Sequence, residues 1–146
     1  MNRIICVGNP FLLEDMAGRL VYERLSQMVL PDGVEVIDGG LGGLNLLPFL
    51  DGADRVVFVD AVKGFGSPGE VVAIDSARMD LAASRCFDHA AGLGYLCSIL
   101  PAVCEQRVPH ITLVGVEGYP TERSIAEATA MALEVSAGMP GPIPYD

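Results

Sequence analysis

Arg55-Val56-Val57-Phe58-Val59-Asp60-Ala61-Val62 is a nearly unbroken β-branched and aromatic run with one carboxylate set near its end. Such a run suits a strand covered on both faces, which places this segment centrally in a sheet. Upstream, Ile4 to Val7 reads as a second buried strand, closed by Gly8-Asn9-Pro10. The spacing of Met16, Leu20, Leu25 and Met28 predicts a helix from about Asp15 to Met28, with Arg19 four residues before Glu23 on its outer face. Val34, Val36 and Ile37 predict another strand, stopped by Asp38-Gly39-Gly40, and a short helix around Leu44 to Leu50 follows.

Downstream of the central run, the turn Lys63 to Gly69 leads directly into Glu70 to Ile74. A parallel crossover needs a dozen or more residues, so this fourth strand is expected to form a hairpin antiparallel to the third. Residues 76–87 fit no pattern. A helix from about His89 to Val103, a strand from Pro109 to Val116 and a helix from Ser124 to Val135 complete the reading. The alternation predicts one α/β domain over residues 1–137, a three-layer sandwich. Its mostly parallel twisted sheet of about five strands would include one antiparallel strand, with helices on both faces. Residues 138–146, rich in Pro and Gly, read as a tail.

With 146 residues, 51% of them hydrophobic, the chain can bury one substantial core and is too short for two ordinary domains. Nineteen acidic against nine basic residues give a net charge of -10, which repels phosphate backbones and argues against nucleic acid as a partner. The opening residues are too sparsely apolar for a signal peptide and no stretch approaches a membrane span, so no membrane partner is expected and the location is read as cytoplasmic. Cys6, Cys86, Cys97 and Cys104 contain no Cys-x-x-Cys pair and sit among apolar neighbours, so each reads as a small buried hydrophobe in a reducing compartment. Cys97 and Cys104, seven apart, could share a helix face, which leaves metal binding there as a minor alternative.

Ligands of open α/β sheets collect outside the carboxyl ends of the strands, and four reactive residues are expected there. Asp15 follows the first strand, Asp38 closes the second, Asp60 lies near the end of the third, and His89 begins the helix after the hairpin. A carboxylate fed into a buried position by Val56 to Val59 must be hydrogen-bonded, paired or metal-bound. The plainer reading of Asp60 is a structural acid accepting N–H bonds in the next turn. Glu14-Asp15 could equally cap a helix, where negative charge is favoured, and His89 could be an ordinary packed residue behind an Asp88 cap. His110, opening an apolar strand after Pro109, reads as structural or edge-exposed. Two carboxylates and an imidazole together form a set suited to a borderline divalent ion such as nickel, zinc, iron or cobalt. Three protein ligands would leave positions open for water or substrate. Phosphate-cradling loops and a Gly-x-Ser-x-Gly elbow are both missing from the sequence.

In this order and spacing, the motifs resemble those of the hydrogenase maturation endopeptidases. Gly8-Asn9-Pro10-Phe11-Leu12-Leu13-Glu14-Asp15-Met16-Ala17-Gly18 is similar to the family's opening Gly-Asn, hydrophobic, acidic-pair, glycine motif. Asp38-Gly39-Gly40 with Gly43, Val59-Asp60-Ala61, His89-Ala90-Ala91-Gly92-Leu93 and Thr112 to Glu117 resemble its later motifs. The chain departs from the pattern at Met16-Ala17, where a small or β-branched pair is usual, and in the short segment after Glu117.

The resemblance implies a metal-dependent endopeptidase that removes the C-terminal extension of a nickel-iron hydrogenase large subunit after nickel loading. Asp15, Asp60 and His89 would face the metal, nickel supplied by the precursor, with Asp38 a supporting or loop-shaping carboxylate of the catalytic set. Its partner would be the nickel-loaded large-subunit precursor. Alternatives are a non-catalytic metal- or precursor-binding chaperone on the same scaffold, and a small α/β module binding a nucleotide or another anion.

Overall fold

The computed structural model describes residues 1–75 and 93–139. Its strands are β1 (Asn2–Val7), β2 (Val34–Gly40), β3 (Arg55–Val62), β4 (Val71–Asp75) and β5 (His110–Glu117). Helices α1 (Ala17–Ser26), α2 (Leu47–Leu50), α3 (Leu93–Val103) and α4 (Glu122–Ser136) lie between and after them. The five strands form one sheet in the order β2-β1-β3-β5-β4. Pairings β1·β2, β1·β3 and β3·β5 are parallel, and β4·β5 is antiparallel. The predicted sandwich is therefore present, with the apolar run of β3 at the centre of the sheet.

One expectation needs correction. β4 does run opposite to β3, but it is not hydrogen-bonded to it, because β5 lies between the two. A hairpin pairs neighbours in the chain. Here β3 instead buries both edges, against β1 and β5, from Asn2↔Arg55 on one side to Val62↔Glu117 on the other. The Lys63 to Gly69 connection therefore crosses over the end of β5, held by the Gly69 N–H donating to the Glu117 carbonyl at 2.8 Å and the Glu117 N–H to the Glu70 carbonyl at 2.9 Å.

Alternation along the strands divides the core into two layers. Ile5, Val56, Phe58, Val62, Leu113 and their neighbours pack under Leu46, Leu50 and the α3 residues Leu93, Leu96 and Leu100. Ile4, Cys6, Val57, Val59, Val114 and Val116 pack under α1 and α4 through Ala17, Val21, Leu25, Ile125, Ala128 and Ala132. Phe58 is fully buried, and burial of a side chain of that size contributes about 1.5–3 kcal/mol.

The first helix is shorter than predicted. Leu13–Asp15 form a separate 3₁₀ turn, and α1 buries Ala17, Gly18, Val21 and Leu25, while Met28 lies exposed beyond its end. The Arg19 to Glu23 pair forms as expected, at 3.2 Å. Of the cysteines, Cys6 is buried and Cys97 and Cys104 are half-buried against the α3 layer. The α3 helix ends at Val103, so Cys104 stands just beyond it. Among the described residues, no helix is long and apolar enough to cross a membrane. The predicted helix start at His89, Cys86 and most of the predicted tail lie outside the described residues.

Candidate active site at the carboxyl edge of the sheet

Asp60 follows the even-numbered positions of β3, so its side chain belongs to the layer of Val56, Phe58 and Val62. It is 1% exposed. One carboxylate oxygen, Oδ1, accepts a 2.8 Å bond from the N–H of Ala61, while Oδ2 is buried and has no hydrogen-bond partner among the described residues. Burial pushes the carboxyl well above the usual carboxylate range, and the negative charge of Asp15 pushes it further; the Ala61 N–H opposes both. A buried oxygen left bare costs about 1–3 kcal/mol, more when the group is charged. Either a proton or a cation would relieve it.

Asp15 reaches the same edge from another direction. It closes the 3₁₀ turn Leu13–Asp15, is half-buried, and its Oδ2 accepts the N–H of Asn9 at 2.7 Å. Two close approaches set it there. At Gly8, with φ +146, an added Cβ would overlap the Asp15 carbonyl oxygen; at Gly18 it would overlap the carbonyl oxygen of Val7. Both positions require glycine, which lets the turn and the start of α1 lie directly on the end of β1.

Asp38 takes a different place. Its register partner is Cys6, whose side chain packs under α1, so Asp38 projects on the sheet face opposite to Asp60. It is paired with Arg19 at 2.7 Å and accepts the N–H of Gly40 at 3.1 Å, shaping the turn after β2. Asp15 thus lies close enough for its charge to act on Asp60, whereas Asp38 projects from the other face of the sheet than Asp60. His89 lies outside the described residues. His110 is exposed at the opposite, amino end of β5, 3.5 Å from Asp75.

Among the described residues, no three His, Cys, Asp or Glu side chains gather closely enough to hold a metal ion. The pair that does gather fits a cation as part of a ligand set: two carboxylates, one of them buried with a bare oxygen, supply hard donors and surplus negative charge.

Two further residues, given no role of their own in the sequence, support this edge. Glu117, 7% exposed, accepts the N–H groups of Phe65 at 2.8 Å and Gly66 at 3.1 Å, and so anchors the connection that leaves the Asp60 strand. An acid closing an apolar strand was the signal, the same one that marked Asp60. Asn9 is the other, through its N–H on Asp15 and its Oδ1 accepting from Phe11 N–H at 3.0 Å.

Comparison with known proteins agrees with this architecture. A family profile described as hydrogenase maturation protease (HycI) matches residues 19–137. The chain is 33% identical over 116 residues to the hydrogenase 2 maturation protease of Escherichia coli K12, across 77% of this chain and 70% of that protein. It is 29% identical over 119 residues to the hydrogenase expression/formation protein HupD of Rhodobacter capsulatus, across 78% of this chain and only 55% of that one. The hydrogenase maturating endopeptidase HybD from E. coli superimposes with a TM-score of 0.77 and 27% identity over 94% of each chain. With the profile covering most of its length, and the fold and the 33% relative concurring, this chain belongs to the hydrogenase maturation protease family.

Proposed function

We propose that the chain is a cytoplasmic, metal-dependent endopeptidase that removes the C-terminal extension of a nickel-iron hydrogenase large-subunit precursor once nickel has been loaded. Family membership supports the peptidase and the class of substrate. The observation that carries the metal-facing part is Asp60: a buried carboxylate whose Oδ2 has no partner among the described residues and which feels the charge of a second carboxylate, at the edge where α/β sheets take ligands.

Under this reading Asp15, Asp60 and His89 take the nickel that the precursor carries. The Ala61 N–H fixes Asp60 through Oδ1 and leaves Oδ2 to face the ion, and the Asn9 N–H holds Asp15 in the same way. A divalent ion there supplies polarisation of the scissile carbonyl or acidification of a water molecule. Asp38 keeps the turn after β2 in shape through Gly40 and Arg19.

The test is to mix the protein with nickel-loaded and nickel-free precursor and follow tail release by mass spectrometry. Release is expected from the loaded form alone, and loss of it in Asp15→Asn, Asp60→Asn and His89→Ala. Equal cleavage of the nickel-free precursor would remove nickel licensing from the reading. Wild-type activity surviving all three substitutions would remove the metal-facing set.

A further inference from the structure

Five large apolar side chains stand in water on the loops that leave β1 and β2: Phe11 is 92% exposed, Leu12 48%, Leu13 63%, Leu41 67% and Leu44 61%. They occupy two loops at the carboxyl edge of the sheet, one after β1 and one after β2. The loops are neighbours, since Val7 pairs with Gly40 and the Gly8 N–H donates to the Gly40 carbonyl at 2.9 Å. Exposed apolar residues scattered singly need no explanation, but a concentration of them on adjoining loops marks an interaction surface.

The loop bearing Phe11 is tied down rather than loose. Asn9 accepts the Phe11 N–H on its side chain, the Leu12 N–H donates to the Asn9 carbonyl at 3.1 Å, and the Asp15 N–H donates to the Leu12 carbonyl at 2.9 Å. The Asn9 N–H on the Asp15 carboxylate then joins the loop to the site itself. A surface already ordered loses little conformational freedom on binding.

We propose that this apolar rim is the docking surface for the body of the precursor protein, which presents an uncharged, apolar patch next to the point where its tail is cut. The proposal rests on the functional reading above. Three observations select this occupant. The rim is continuous with the carboxylate site through Asn9 and Asp15. Residues 8–13 and 39–50 contain no charged side chain, so nothing basic is present in either loop to hold an anionic lipid headgroup. A second copy seated by two-fold symmetry on this rim would cover Asp15 in both chains and shut out any peptide.

The experiment uses the full chain with Phe11→Ser, Leu41→Ser and the double variant. Cleavage of nickel-loaded precursor is measured across substrate concentrations, together with precursor binding, sedimentation velocity and flotation with neutral phosphatidylcholine vesicles. Phe11 packs against almost nothing, so thermal melting should stay near wild type and report that folding is intact. Expected is a rise of about tenfold in KM and in the dissociation constant for Phe11→Ser, as for loss of one aromatic anchor, and more in the double variant. Unchanged KM in wild-type-like melting variants, with cleavage intact, would overturn the docking surface and leave the peptidase reading standing. A wild-type dimer dissolved by Phe11→Ser at unchanged KM would assign the rim to a second copy, and vesicle flotation lost in the variants at unchanged KM would assign it to a membrane; each overturns the proposal. Wild type that neither binds nor cuts the precursor would bring down the functional reading, and the docking surface with it.

Discussion

The two ends of β3 hold their carboxylates in opposite ways. At the amino end, Asp54 accepts from the N-terminal ammonium at 2.8 Å and from Arg107, and nearby Asp51 accepts the N–H groups of Glu105 at 2.9 Å and Gln106 at 2.8 Å. The N-terminal amine and then Arg107 draw the Asp54 carboxyl below its ordinary range, and the Glu105 and Gln106 amides do the same for Asp51. Six residues along the same strand, Asp60 is buried, half-partnered and pushed the other way. An acid placed for stability is surrounded by donors. Asp60 has a single donor, the Ala61 N–H, and among the described residues its other oxygen has none, an environment of the kind in which functional carboxylates are found.

The largest test of that contrast is Asp60→Asn. Tail release should fall at least ~100-fold, since even partners that merely support a metal ligand cost 10- to 100-fold. The folded protein should meanwhile become no less stable, and a melting temperature that drops with the activity would make Asp60 a structural acid after all. Next comes Gly18→Ala, which forces a methyl group onto the Val7 carbonyl oxygen and should destabilise by about 1–3 kcal/mol, read as a lower denaturation midpoint at unchanged m.

The two ends should also respond to pH with opposite sign. Asp60 has a raised folded value, so its contribution is fully present below the unfolded carboxylate value and is lost as pH rises through the folded one. Asp51 and Asp54 have lowered values, so theirs is present above the unfolded value and is lost as pH falls through the folded one. Melting temperature followed across pH should therefore lose, in Asp60→Asn, part of its decline as pH rises above the ordinary carboxylate range, and in Asp51→Asn/Asp54→Asn part of its acid-side decline. The smallest effect is expected from Asp54→Asn alone: exposed on the surface, its pairing should matter little, less still in about 0.5 M salt, and tail release should be unaffected.

How far the sequence could be read depends on how local each feature is. The apolar run of β3 and the acid in it declare a buried strand and its site from eight consecutive residues. The position of β4 was not legible in the same way, because whether β5 slips between β3 and β4 is decided by residues some fifty positions away. Asp38 and Asp60 each end an apolar run before a glycine or alanine, and the sequence alone does not say which sheet face either takes. Only the register Cys6↔Asp38 shows that Asp38 projects on the α1 face. Phe11 to Leu13 read as part of a motif, yet no periodicity in so short a loop tells that its side chains stay outside. Glu117 could have been found by applying to β5 the reasoning used for β3.

The insertion of β5 beside β3 also sets an order of events during synthesis. Asp60 lies opposite Gly115, and the connection leaving its strand is tied to Glu117. A ribosome must therefore release most of the chain before this edge of the sheet can close, and a product cut short before β5 would carry Asp60 on an open strand edge without its neighbour.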